Sequence, residues 1–314
     1  IRADLAVDFD PPRRSAVVRG TLTLRNRSES PIDTVWVLVR RDIARASVSI
    51  VGAREVTYDE RFRVRALVPE RPMQPGDSTT MEYEFMIDRG GVRADDFNRD
   101  VARNGSYLTA MTIMPVMGYR AGYELSNPLE RRKRGLGEPT ADPITPAAID
   151  SLTRETRRAG TALSWITLRA VLSSTDGQTA LGPGRVVRSW RDGDRQYAEY
   201  RVDSPMPGFF AFAVGRFAVK RAQHGAVQIE FWHHPEHAQN VDRMMAAAAS
   251  TLDLMGARIG RYKYETLRMV EVPSGWQFGA FATPGMLFFT ENRGLLADPR
   301  DGDVDLLTRR VAHE

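Results

Sequence analysis

The chain has 314 residues, 42% of them hydrophobic, and its 44 basic residues nearly balance 40 acidic ones for a formal charge of only +4. That composition supports a sizeable buried core and about two domains, and it excludes a disordered chain or one built around a polyanion. With no cysteine there can be neither disulfides nor thiolate ligands, so any metal must be held by His and carboxylates.

Read from the start, apolar residues alternate as strands require. Leu5, Val7 and Phe9 lead to a Pro11-Pro12 turn, Leu22 and Leu24 precede Asn26, and Val35, Val37 and Val39 mark a third strand. Pro31 and Gly76 punctuate the run as turns. Met81, Tyr83, Phe85 and Ile87 repeat the pattern before Gly90-Gly91, as do Ile166, Leu168, Ala170 and Leu172. This rhythm predicts an antiparallel β-sandwich over roughly the first two hundred residues.

Residues 118 to 150 lose periodicity and gather Gly, Pro and charge, including Arg131-Arg132-Lys133-Arg134, which predicts a long, solvated and partly salt-bridged surface loop. Without interleaved aromatics or a basic helix, the run does not read as a nucleic-acid grip. No apolar stretch approaches the roughly 18 residues needed to span a bilayer, so any membrane anchor is expected outside this chain.

Phe209-Phe210-Ala211-Phe212-Ala213-Val214 predicts a buried strand, and after it helices enter. From Val241, the positions Met244, Met245, Ala248, Leu252, Met255 and Ile259 form one face of a helix, with Asn240 as N-cap, Gly260 as stop and the Met-rich stripe as core packing. The switch predicts a domain boundary near residues 218 to 224. His224, His233, His234 and His237 cluster here, but His233 and His234 are neighbours on a predicted strand and face opposite ways, and Pro235 breaks the strand before His237. These features argue against a second metal site.

The last residues, Val311-Ala312-His313-Glu314, close a predicted helix with Asp303 as N-cap and Val304, Leu307 and Val311 as its buried stripe. His313-Glu314 reads as the opening of a zinc-binding HExxH motif. In that motif two His one turn apart hold the metal, and the Glu between them takes a proton from zinc-bound water.

The stretches Trp165-Ile166, Gln178-Thr179-Ala180-Leu181-Gly182-Pro183-Gly184, Phe210-Ala211-Phe212-Ala213-Val214-Gly215, Gly279-Ala280-Phe281-Ala282-Thr283-Pro284-Gly285 and His313-Glu314 occur in the order seen in zinc aminopeptidases. Over essentially its whole length the chain resembles the membrane alanyl aminopeptidase family of gluzincins. Arg131-Arg132-Lys133-Arg134-Gly135-Leu136 and Trp232-His233-His234-Pro235 look closest to a bacterial branch whose peptidase-like domain is joined to transporter-like membrane segments.

The resemblance implies a mainly β chain with an α/β part: an N-terminal β-sandwich over residues 1 to 218, then the opening portion of a thermolysin-like catalytic domain over residues 219 to 314. It implies His313 as a zinc ligand and Glu314 as general base in a parent protein that hydrolyses peptide bonds, with a second His, a Glu and an oxyanion-binding Tyr further on. It also implies a position on the extracytoplasmic face of a bacterial membrane, held by segments outside this chain. As an isolated chain, no peptidase activity and no tight zinc site are expected, because one His and one free carboxylate cannot enclose the ion.

The exopeptidase motif departs from the family. The family reads GAMEN where this chain has Gly279, Ala280, Phe281, Ala282 and Thr283, and the missing Glu is the residue that binds a substrate's free α-amino group. Ala282 cannot make that contact, although its spacing to His313 is close to the family's, and Glu291 is a candidate replacement carboxylate. The backbone of Gly279, Ala280 and Phe281 can still pair with an extended peptide substrate. Three further readings stand beside this one. The segment is merely a packed loop and strand with Phe278, Phe281, Phe288 and Phe289 as core; the parent is a non-catalytic peptide-binding or scaffolding module; or it cuts internal bonds or blocked N-termini. Side-chain specificity and oligomeric state are not legible.

Overall fold

A computed structural model describes residues 2–91, 100–118, 125, 127–137, 165–274, 276, 278–298 and 305–314. The chain runs through β1 (Arg2–Asp10), β2 (Ser15–Arg25), β3 (Val35–Leu38), β4 (Arg45–Ile50), β5 (Ala53–Asp59), β6 (Val64–Pro69) and β7 (Ser78–Asp88). Next come β8 (Val101–Ala102), β9 (Gly105–Thr109), the single turn α1 (Ala110–Ile113), β10 (Val116–Met117) and α2 (Pro128–Lys133). Then follow β11 (Trp165–Ser174), β12 (Thr179–Leu181), β13 (Arg185–Asp192), β14 (Arg195–Pro207) and β15 (Ala211–Gly215). The remainder is β16 (Ala218–His224), β17 (Val227–His233), α3 (Val241–Arg258), β18 (Thr266–Val272), β19 (Ala280–Thr283), β20 (Met286–Thr290), a π-helical turn (Glu291–Leu295) and α4 (Leu306–His313).

The period-two residues face one core. Leu5, Val7 and Phe9 of β1, Leu22 of β2, Phe85 and Ile87 of β7 and Leu172 of β11 are buried together, while their sequence neighbours face out. These strands belong to a seven-stranded sheet ordered β13-β14-β11-β1-β2-β7-β4. It is antiparallel except where β1 lies parallel to β11. Val37 of the β10-β3-β6-β5 sheet, and Leu108 and Phe212 of the β12-β15-β9-β8 sheet, close the same core from the other layer.

The five-stranded sheet is mixed, ordered β16-β17-β18-β20-β19, with β17, β18 and β20 parallel and an antiparallel strand at each edge. Parallel neighbours need a crossover, and α3 provides the one between β17 and β18. Ile229, Phe231, Met269 and Phe289 pack against Met244, Met245 and Ala248 of α3 and against Leu307 and Val311 of α4. The opposite face lays Val270, Val272 and Phe288 on Tyr107, Ala211 and Ala213 of the sandwich.

Arg268 ties these regions together. Its guanidinium is 5% exposed and donates to Glu230 Oε2 at 2.9 Å, to the Gly182 carbonyl at 2.6 Å and to that of Gly184 at 3.3 Å. Gly184 has φ +84°, and a Cβ there would fall 2.3 Å from the Arg201 carbonyl oxygen, so only glycine fits. Burial alone would raise the Glu230 carboxyl, but Arg268, the Trp232 indole N–H and Arg221 outweigh it and hold it below the ordinary range.

Several expectations are corrected. The basic run lies partly in α2, where Asn127 Oδ1 accepts from Leu129 and Glu130 N–H, Pro128 starts the helix, and Glu130 pairs with Lys133 and Arg134. Asn240 does not cap α3 through its side chain; its Nδ2 donates to the carbonyls of Leu295 at 2.7 Å and Ala297 at 3.1 Å. Met255 and Ile259 are exposed, so the buried stripe of α3 stops short of them. His234 lies beyond β17, whose last residue is His233. Asp303 and Val304 lie outside the described residues, and Asp305 caps α4 by accepting from Thr308 N–H at 3.0 Å. No helix among the described residues is long and apolar enough to cross a membrane.

Candidate functional site

Within the segment Gly279 to Thr283, β19 is an edge strand. Pro284 and Gly285 form a two-residue turn, with proline's fixed φ followed by Gly285 at φ +75°, and this folds β19 back onto β20. The pairs run Ala280 with Phe289, Phe281 with Phe288, Ala282 with Leu287 and Thr283 with Met286. The Gly279 carbonyl accepts from Thr290 N–H at 3.1 Å. Hydrogen-bonded pairs alternate in an antiparallel ladder, so Gly279, Phe281 and Thr283 bond inward, and the N–H and C=O groups of Ala280 and Ala282 point away from the sheet.

The side chains divide between the two faces. Phe281 packs edge-on against Phe209 at 5.1 Å and tilted against Phe278 at 5.6 Å. Ala280 and Ala282 lie on the helix-covered face, against the cluster that holds Leu307 and Val311. Phe288 and Phe289 are fully buried, as expected of core. Gly294 lets the π-helical turn close on the strand, since a Cβ there would sit 2.3 Å from the Gly279 carbonyl oxygen.

The end of α4 reaches the same region. Leu307 and Val311 are buried, and a Cβ on Gly279 would lie 3.2 Å from Arg310 Nε. Arg310 Nη1 donates to the Gly294 carbonyl at 3.3 Å. His313, the final helical residue, is exposed, and Glu314 N–H closes the helix on the Arg310 carbonyl at 3.2 Å. The Tyr107 phenol is pushed above its ordinary value by burial and, secondarily, by the Glu314 carboxylate. Tyr107 in turn packs edge-on against Trp276 at 5.0 Å and Phe278 at 5.9 Å.

Zinc held by protein needs at least three ligands. Among the described residues, one grouping of three ligand atoms exists, and it is His237, Glu271 and Glu291 rather than anything around His313. The described residues therefore do not complete a zinc site at His313. Glu291, the candidate replacement carboxylate, faces His237. It lies 3.9 Å from His237 Nε2, while its other oxygen accepts weakly from Ser274 N–H at 3.4 Å. The trio is hidden in the sequence, where only neighbours along the chain are visible, because its members meet across three strands.

No family model matches the chain, and no curated protein matches it. Among solved structures it is similar to the M1 zinc metallopeptidase from Deinococcus radiodurans, with 13% identity and a TM-score of 0.54 over 91% of this chain and 58% of that one. At that identity the likeness is one of fold, and the chain spans 58% of the length of the protein it matches. The architecture is thus mainly β with an α/β part, a β-sandwich followed by a helix-covered mixed sheet in the manner of a zinc metallopeptidase.

Proposed function

We propose that the chain is the peptide-presenting part of a zinc-dependent, aminopeptidase-like metallopeptidase, with β19 as the strand that an extended peptide extends. One observation carries this reading: a strand edge unpaired among the described residues and the end of the helix bearing His313 and Glu314 come together through Arg310, Gly279 and the Tyr107 aromatic cluster. Backbone pairing needs no particular side chain, so the outward groups of Ala280 and Ala282 suffice to align a peptide. In this reading His313 contributes one metal ligand and Glu314 the proton acceptor of the HExxH arrangement. No further ligands stand beside His313 among the described residues, and the chain alone is expected to be hydrolytically silent.

Ala282 favours a second reading, a peptide-binding module without chemistry, because it puts a methyl group against an apolar cluster where the family carries a charge. The readings separate in the longer protein, assayed for hydrolysis of peptides with free and with acetylated N-termini. Hydrolysis of either supports the enzyme, and binding without hydrolysis supports the module. The edge itself is tested in the present chain by Ala282→Pro, which removes an outward N–H but no rung of the β19–β20 ladder. Labelled-peptide binding should weaken about two- to tenfold, the worth of one backbone hydrogen bond. Unchanged binding would place the peptide elsewhere.

A further inference from the structure

The geometry points to a divalent metal site at His237, Glu271 and Glu291, separate from His313, taking zinc or a similar transition-metal ion. It goes beyond the reading above and does not depend on it.

The topology assembles the trio. Strands β17, β18 and β20 are parallel, so their carboxyl ends open on one side of the sheet, where ligands of open α/β sheets gather. His237 follows the end of β17, Glu271 is the penultimate residue of β18, and Glu291 is the first residue after β20. One ligand atom from each lies within 4.8 Å of the other two. They line a cleft of about 50 Å³, closed on the sandwich side by Gly105 and Gly215, with room for an ion and one or two waters.

The chemistry fits a cation. His237 Nδ1 shares a hydrogen bond of 2.5 Å with Glu271 Oε1, and Glu271 Oε2 accepts from His234 N–H at 2.6 Å, so the carboxylate is aimed before any ion arrives. Glu271 is 7% exposed, and the basic side chain lining the cleft, Arg216, is paired with Asp176. Two carboxylates thus face one imidazole with no guanidinium between them. Around zinc, ligand atoms stand about 3.3 Å apart. The 2.5 Å bond opens while Glu291, 32% exposed, swings inward. The proton of that hydrogen bond leaves to solvent as the ion takes its place, since metal binding releases protons from its ligands. The donor set of one nitrogen and two oxygens suits zinc and leaves an open position for water.

The test is calorimetric titration of the 314-residue chain with zinc chloride, beside His237→Ala, Glu291→Gln and His313→Ala. One ion should bind per chain, and both His237→Ala and Glu291→Gln should weaken it at least about tenfold. His313→Ala should leave it unchanged. Glu291→Gln, at a half-exposed position, keeps the test valid should His237→Ala disturb the turn after β17. The proposal is overturned by absence of stoichiometric binding, by binding indifferent to His237 and Glu291, or by binding that is lost with His313.

Discussion

Replacing Arg268 by Met probes the tie between the five-stranded sheet and the sandwich. The variant keeps most of the aliphatic stem, so the loss is electrostatic: the ion pair with Glu230 and the donors to Gly182 and Gly184 disappear together. Removing one partner of a buried pair costs about 3–5 kcal/mol. Glu230 retains the Trp232 indole N–H at 3.0 Å and Arg221 at 3.3 Å, which places the expected loss near the lower figure, about 3 kcal/mol. Urea unfolding followed by tryptophan emission and by circular dichroism measures it, coincident curves licensing a two-state value. Adding Glu230→Gln removes the stranded charge and should recover about 1–2 kcal/mol. A loss below about 1 kcal/mol, or no recovery in the double variant, would refute the argument that the pair is desolvated and coupled.

The same pair sets an acid dependence. A carboxyl held below its unfolded value adds stability above that value and loses it as pH falls through the folded one, so the wild-type advantage over Arg268→Met should shrink below about pH 4.3. A gap that stays constant down to acid unfolding would contradict this. Gly294→Ala puts a methyl group 2.3 Å from the Gly279 carbonyl and 2.9 Å from Phe289 Cβ, so a loss of about 1–3 kcal/mol is expected, with faster hydrogen exchange in β19. Leu307→Ala should cost about 2–5 kcal/mol, since Leu307 is a fully buried anchor of α4, and exchange should rise most in that helix. If only distant strands respond, α4 is not anchored by this residue.

The strands of the sandwich were legible because period two is a local signature: Leu5, Val7 and Phe9 announce their inward face without reference to any partner. So was the Met-rich onset of α3, but not where its buried stripe ends, because the exposure of Met255 and Ile259 depends on what packs beside the helix. Asn240 stands at the N-cap position as expected, but its side chain holds the Leu295 and Ala297 carbonyls, a tertiary role no local pattern reveals. The cap-then-proline signal at Asn127-Pro128 was present but masked by the charges that follow. At the candidate site, the Gly279–Ala282 stretch and His313-Glu314 stand out through motif order. His237, Glu271 and Glu291 come together only through parallel strand order, and nothing local couples positions so far apart.

The outward rungs of β19 have a consequence beyond any peptide. A row of unspent donors and acceptors recognises whatever extended backbone comes near, including that of a sister molecule. Brevity is the safeguard: four residues ending at Pro284 offer a second chain too few bonds to hold for long. Lengthening this hairpin, or replacing Pro284 with a β-branched residue, should therefore turn a docking ledge into a seed for filaments.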